Sequence, residues 1–159
     1  MGEQMHSRWL AMMCRKIGIS SPLSTDEPLV RELLTTMQET RADYTNTFLY
    51  LAGYHDIPES ACFEHPRFQN WISVWHARLE RQTGGLLEAQ KYMAAHNPVY
   101  IPRNHLVEQV LDQAVAGDMQ GFHEFLKILQ NPYTRQDISP EYMRSAKGFD
   151  AQYETFCGT

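Results

Sequence analysis

Cysteine, positive charge and long apolar runs are all scarce in this chain of 159 residues, and each scarcity removes a class of function. The three cysteines, Cys14, Cys62 and Cys157, are odd in number and widely spaced. That is not a disulfide framework, and a reducing, cytoplasmic location is the expectation. Lys and Arg total 14 against 19 Asp and Glu, a net charge of −5. No basic stripe is available to neutralise phosphates, so neither nucleic-acid binding of that kind nor a polybasic membrane patch is expected. No apolar run approaches the about 18 residues that a membrane span needs. Residues 1–10 include Glu3, Gln4, His6 and Arg8, so no secretory signal is read there. Nucleotide cradles are lacking too. The paired glycines, Gly84 and Gly85, sit between two helical runs with no strand feeding them, which fits neither a P-loop nor a Rossmann turn. There is no G-x-S-x-G elbow and no H-E-x-x-H.

What is present is a folding composition, 43% hydrophobic and 21% charged, with helical periodicity almost throughout. Trp9, Met12 and Met13 predict a first helix over about 3–17, with both methionines in the core. After the break at Ser20–Ser21–Pro22, Ser24 and Glu27 have the spacing of a capping box for a second helix to about Thr40. Asp43 is read as the N-cap of a third, closed by Gly53. Pro66 opens the clearest helix: Phe68, Trp71, Ile72, Trp75 and Leu79 form one broad apolar face. A shorter helix follows, then one along Leu106, Val110, Leu111 and Ala114, and another along Met119, Phe122, Phe125, Leu126 and Leu129. Ser139–Pro140 opens at most a helical turn. No alternating run reads as a strand and no domain boundary is evident. The expectation is an all-α helical bundle in a single domain, 1–159.

Few side chains suggest chemistry. His55, Cys62 and His65 are potential zinc ligands in the loop 54–66, but their spacing matches no standard site. The plainer reading tucks Cys62 and Phe63 under the loop with both histidines facing water. Trp71 and Trp75 are core rather than a platform for bases. Glu80, Arg81, Glu108 and Asp112 are solvated. No catalytic, cofactor-binding or metal-ligating residue is assigned. Two segments look more constrained than packing requires. In Asn97–His105, two prolines flank Tyr100, and Pro102 places Arg103 and Asn104 in the exposed first turn of a helix. An arginine there opposes the helix dipole, so Arg103 is expected to pair with a carboxylate or carbonyl, and Tyr100, Arg103 and Asn104 are candidate structural or docking residues. In Tyr153–Thr159, Cys157 lies two residues from the last position and is the candidate redox residue.

These two segments also carry a resemblance. NPVYIPRNHLVEQVLDQAVAGD at 97–118, followed by YETFCGT at 153–159, resembles the C-terminal end of the selenoprotein O family. MCRKIGI at 13–19, ADYTNTF at 42–48, Trp71 with Trp75-His-Ala-Arg-Leu, and FLKILQNPY at 125–133 agree with it in order. The resemblance implies a protein-kinase-like fold, of which this chain matches the last third, and protein AMPylation: transfer of AMP from ATP to Ser, Thr or Tyr hydroxyls with Mg or Mn. The family's glycine-rich loop, phosphate-gripping lysine and arginines, catalytic aspartate and metal-binding Asn and Asp all precede the matched region, so none is carried onto this sequence. The terminal cysteine is carried across, as Cys157, with a redox role through a disulfide to a cysteine near the catalytic segment. Cys14 or Cys62 could substitute as its partner only with Cα atoms within about 7 Å.

The expected function is therefore the C-terminal segment of such an adenylyltransferase, inactive alone, with the kinase-like core or another protein chain as partner. The alternative is a stand-alone helical interaction or regulatory module without catalysis. A small metal or redox protein is the weakest reading.

Overall fold

The computed structural model describes residues 2–145, and the chain divides into two compact units, Met1–Val99 and Tyr100–Thr159. The expected segment around Cys157 lies outside the described residues. Among the described residues the regular structure is entirely helical, as the periodicity predicts.

The first unit comprises α1 (Gly2–Lys16), a 3-10 turn at Ser24–Asp26, α2 (Glu27–Glu39), α3 (Tyr44–Leu51), the single turn α4 (Ala61–Glu64), α5 (Pro66–Leu79) and α6 (Gly85–Ala94). Local chemistry sets the boundaries. The Asp43 carboxylate accepts the Asn46 N–H at 2.8 Å, satisfying one of the orphan donors that begin α3. His65 Nδ1 accepts the Arg67 N–H at 3.3 Å, and Pro66 occupies the first position of α5, where no N–H is needed. The expected Ser24–Glu27 box does not form. The Asp26 carboxylate instead accepts the Leu23 N–H at 2.8 Å, and Glu27 pairs with Arg31 and His6. An intervening 3-10 turn moves the start of α2 past Ser24.

The core of this unit is organised on α5. Phe68, Trp71, Trp75 and Leu79 are all at most 2% exposed, and the rings of Trp71 and Trp75 stack with centroids 5.6 Å apart. They pack against Met13 and Ile17, Val30 and Leu33, Phe48, and Met93. Met13 is 1% exposed but Met12 is 45% exposed, against expectation. Adjacent helical residues point about 100° apart, so a narrow apolar face admits only one of them. Gly18 lets α1 end tightly against α6: its φ is +79°, and a Cβ there would stand 2.8 Å from that of Ala89.

The second unit holds α7 (Asn104–Val115), α8 (Gln120–Leu129) and a 3-10 turn at Pro140–Met143. The two helices pack as a hairpin, with Leu106, Phe125, Ile128 and Met143 buried. Leu111 and Leu126, expected on the inner faces, are 49% and 45% exposed, and Val115 is 90% exposed. Two helices can cover only one stripe of each other, so the apolar residues flanking that stripe stay in solvent.

Candidate functional site

The most constructed polar feature of the first unit is the way α5 holds the segment between α1 and α2. Trp71, Trp75, Arg78 and Gln82 follow one another at intervals of four, three and four along α5 and its exit, so they share a face. Each donates to a backbone carbonyl of that segment or of the first turn of α2. Trp71 Nε1 reaches Leu29 O at 2.8 Å, Trp75 Nε1 reaches Ile17 O at 2.8 Å, and Gln82 Nε2 reaches Gly18 O at 2.7 Å. Arg78 Nη2 reaches Ser21 O at 3.1 Å. A loop whose carbonyls are taken in this way is fixed rather than pliant.

Arg78 also forms a paired, two-point contact with Asp26, Nε to Oδ1 at 2.6 Å and Nη2 to Oδ2 at 2.9 Å. The side chains are 13% and 3% exposed respectively. Hydrogen bonding to the Asp26 carboxylate raises the Arg78 pKa, so the guanidinium is charged at every working pH. The pair forms the inner wall of an open cleft of about 600 Å3 between residues 20–29 and the C-terminal half of α5. Nearby, burial pushes the Cys14 thiol up to about 11, with the Asp26 charge adding to the effect and Arg78 opposing it. Cys14 is therefore a protonated, inaccessible thiol.

The expected site residues are distributed as follows. Cys62 and Phe63 are 0% and 8% exposed beneath the loop, His55 is exposed, and half-buried His65 serves as the α5 cap. Among the described residues no three His, Cys, Asp or Glu side chains come together to hold a metal ion. Mg or Mn, implied by the resemblance, has no fitting donor set there, and no step through a metal is assigned to these residues. Trp71 and Trp75 are core, while Glu80, Arg81, Glu108 and Asp112 are exposed, as read from sequence.

In the second unit Tyr100 is structural. It is 2% exposed, its N–H donates to Pro132 O at 3.2 Å, and its hydroxyl donates to Gln136 O and accepts from Gln136 N–H, both at 3.1 Å. It thereby ties the start of this unit to the segment following α8. Arg103 is not in an exposed first turn. It is the N-cap residue, extended at φ −65° and ψ 133°, and only 9% exposed. The helix begins at Asn104, two residues beyond Pro102, so Arg103 precedes the first turn instead of lying in it. Asn104, the first helical residue, is exposed. Sequence reasoning missed the Asp26–Arg78 pair. Its only trace is an arginine at the edge of the α5 apolar stripe, and nothing local indicates a partner 52 positions away.

Comparison with known proteins finds relatives described as protein nucleotidyltransferases. It is 38% identical over 157 residues to the protein nucleotidyltransferase YdiU of Bacillus cereus (strain ZK / E33L), covering 98% of this chain and 32% of that protein. It is 39% identical to the Bacillus anthracis YdiU over the same shares. To that of Alcanivorax borkumensis it is 39% identical, over 96% of this chain and 31% of the relative. The family model described as protein adenylyltransferase SelO matches residues 2–130, and the chain belongs to that family. It spans about a third of the length of the curated relatives it matches.

Proposed function

We propose that this chain works as the helical C-terminal part of a kinase-like adenylyltransferase, one that transfers AMP from ATP, with Mg or Mn, to Ser, Thr or Tyr hydroxyls of proteins. The observation that carries the reading is the asymmetry of coverage: 98% of this chain aligns to 32% of a protein nucleotidyltransferase. Nucleotidyl transfer depends on groups that position ATP and neutralise its developing charge. On this reading those groups belong to the other two-thirds of the family's length, and this segment supports them. Its exposed apolar side chains, Met5 at 67%, Leu87 at 65% and Val115 at 90%, fit a segment that has further surface to bury. The reading also keeps Cys157 as a redox residue. Cys14 and Cys62, both fully buried, are poor disulfide partners for it, so its partner belongs to the catalytic part.

A chimera tests this. The 157 matching residues of the Bacillus cereus relative are replaced by this chain, and AMP transfer from labelled ATP to protein is measured for the chimera, the parent and the isolated chain. The expected result is transfer by parent and chimera and none by the isolated chain. Transfer by the isolated chain, or an inactive folded chimera beside an active parent, overturns the reading.

A further inference from the structure

The lining of the cleft beside the Asp26–Arg78 pair is mixed. Its apolar part includes Leu23 and Val74, exposed at 56% and 54%, and Leu29. Its polar part includes the guanidinium of Arg81 and the hydroxyls of Thr25 and Thr83, none of which makes a side-chain bond in the structure. Arg78 contributes more. Its Nε and Nη2 are taken up by Asp26 and Ser21, while Nη1 makes no bond and is not buried. The Asp26 carboxylate neutralises Arg78, and both its oxygens already accept hydrogen bonds, so the uncompensated charge of the lining is the Arg81 guanidinium. In a chain of net charge −5, the cleft therefore presents positive charge beside apolar surface.

We propose that this cleft is a docking groove for an acidic segment of another protein, one in which an apolar side chain lies next to a carboxylate. Charge complementarity selects the sign of the partner, since a basic segment would meet the unpaired Arg81 guanidinium and a carboxylate already engaged by Arg78. The apolar lining selects a peptide over a free anion, because an inorganic ion would leave Leu23 and Val74 uncovered. A volume of about 600 Å3 holds a few side chains, which is the scale of a peptide contact. The groove is also preorganised. The bonds from Trp75, Arg78 and Gln82 hold its loop in place and that from Trp71 holds the start of α2, so little ordering is required on binding. The inference goes beyond the proposed transferase role and does not depend on it.

The test is amide chemical-shift mapping of the full chain, titrated with a pool of short blocked peptides that place Leu, Ile, Val or Phe beside Glu or Asp. A matched pool carries Gln and Asn instead, and inorganic phosphate serves as the free anion. The acidic pool is expected to shift residues 20–26 and 77–83 most, and to lose its effect as salt rises. Arg81→Glu, at an exposed residue without a partner, should weaken the interaction about tenfold with the amide spectrum otherwise retained. Val74→Glu should also weaken it, and Arg15→Glu, exposed on α1, should not. Equal shifts from both pools, full reproduction by phosphate alone, or no shift at the cleft would each overturn the proposal.

Discussion

Removing the Asp26 charge tests whether α5 anchors the first unit through its polar side chains as well as its rings. In Asp26→Asn the shape is kept and the Leu23 N–H still finds an acceptor, but Arg78 loses its countercharge while remaining 13% exposed. Breaking a buried pair from one side costs about 3–5 kcal/mol, and the remaining access of water to Arg78 places this case near the lower end, about 3 kcal/mol. Arg78→Met leaves the Asp26 carboxylate at 3% exposure without its two-point partner, and should cost at least as much. The double variant buries no unpaired charge, so it should be less destabilised than the sum of the singles by about 2 kcal/mol. Urea unfolding followed by tryptophan fluorescence reports on this directly, because Trp71 and Trp75 lie in the same core. If both single variants lose less than about 1 kcal/mol, the pair behaves like a surface ion pair and the reasoning fails.

Other consequences follow from the same geometry. Gly18→Ala forces a left-handed alanine whose Cβ would stand 2.8 Å from that of Ala89, and should cost at least about 2 kcal/mol in urea unfolding. Gly85→Ala, also at positive φ but with nothing within 4 Å, should cost only about 1 kcal/mol; equal losses would contradict the account of close approach. Trp75→Phe removes the donor to Ile17 O inside the core and should cost about 2 kcal/mol or more by the same assay. Cys14 and Cys62 should resist a thiol reagent in the folded protein and react only on unfolding; rapid native labelling of either would show that its burial is wrong. Because burial raises the Cys14 pKa from 9.0 to about 11, its contribution to stability is whole below pH 9 and declines as pH rises toward 11. Cys14→Ala should flatten that alkaline decline in unfolding midpoints.

Much of this arrangement is legible in the sequence because it rests on local chemistry. The apolar stripe of α5, the Asp43 cap and the stop at Gly53 each follow from spacing within a few residues. The misreadings arise where a single sequence lacks information. Met12 and Met13 are equally apolar, and only the packing of α1 decides which faces in. Leu111 and Leu126 lie on plausible inner faces, but a two-helix hairpin has too little partner surface to cover them. Ser24 has a sound capping pattern, yet Asp26 is drawn toward the Leu23 N–H and Arg78, and α2 starts later. Arg103 stands out in the sequence, but a later helix start, at Asn104, converts the expected exposed first turn into a buried cap. The polar ladder from α5 to the segment 17–29 depends on contacts 42–64 positions apart, which no local pattern encodes.

The central claim, that this sequence operates as about a third of a larger adenylyltransferase, is tested most directly by the intact mass of the product in cells that express it. An antibody against residues 97–118 would capture that product without denaturation or proteolysis. The account predicts a species near three times 18.5 kDa, in keeping with the 32% coverage of its relatives, or an 18.5 kDa chain that remains bound to a kinase-like partner. A free 18.5 kDa product with no such partner would contradict it.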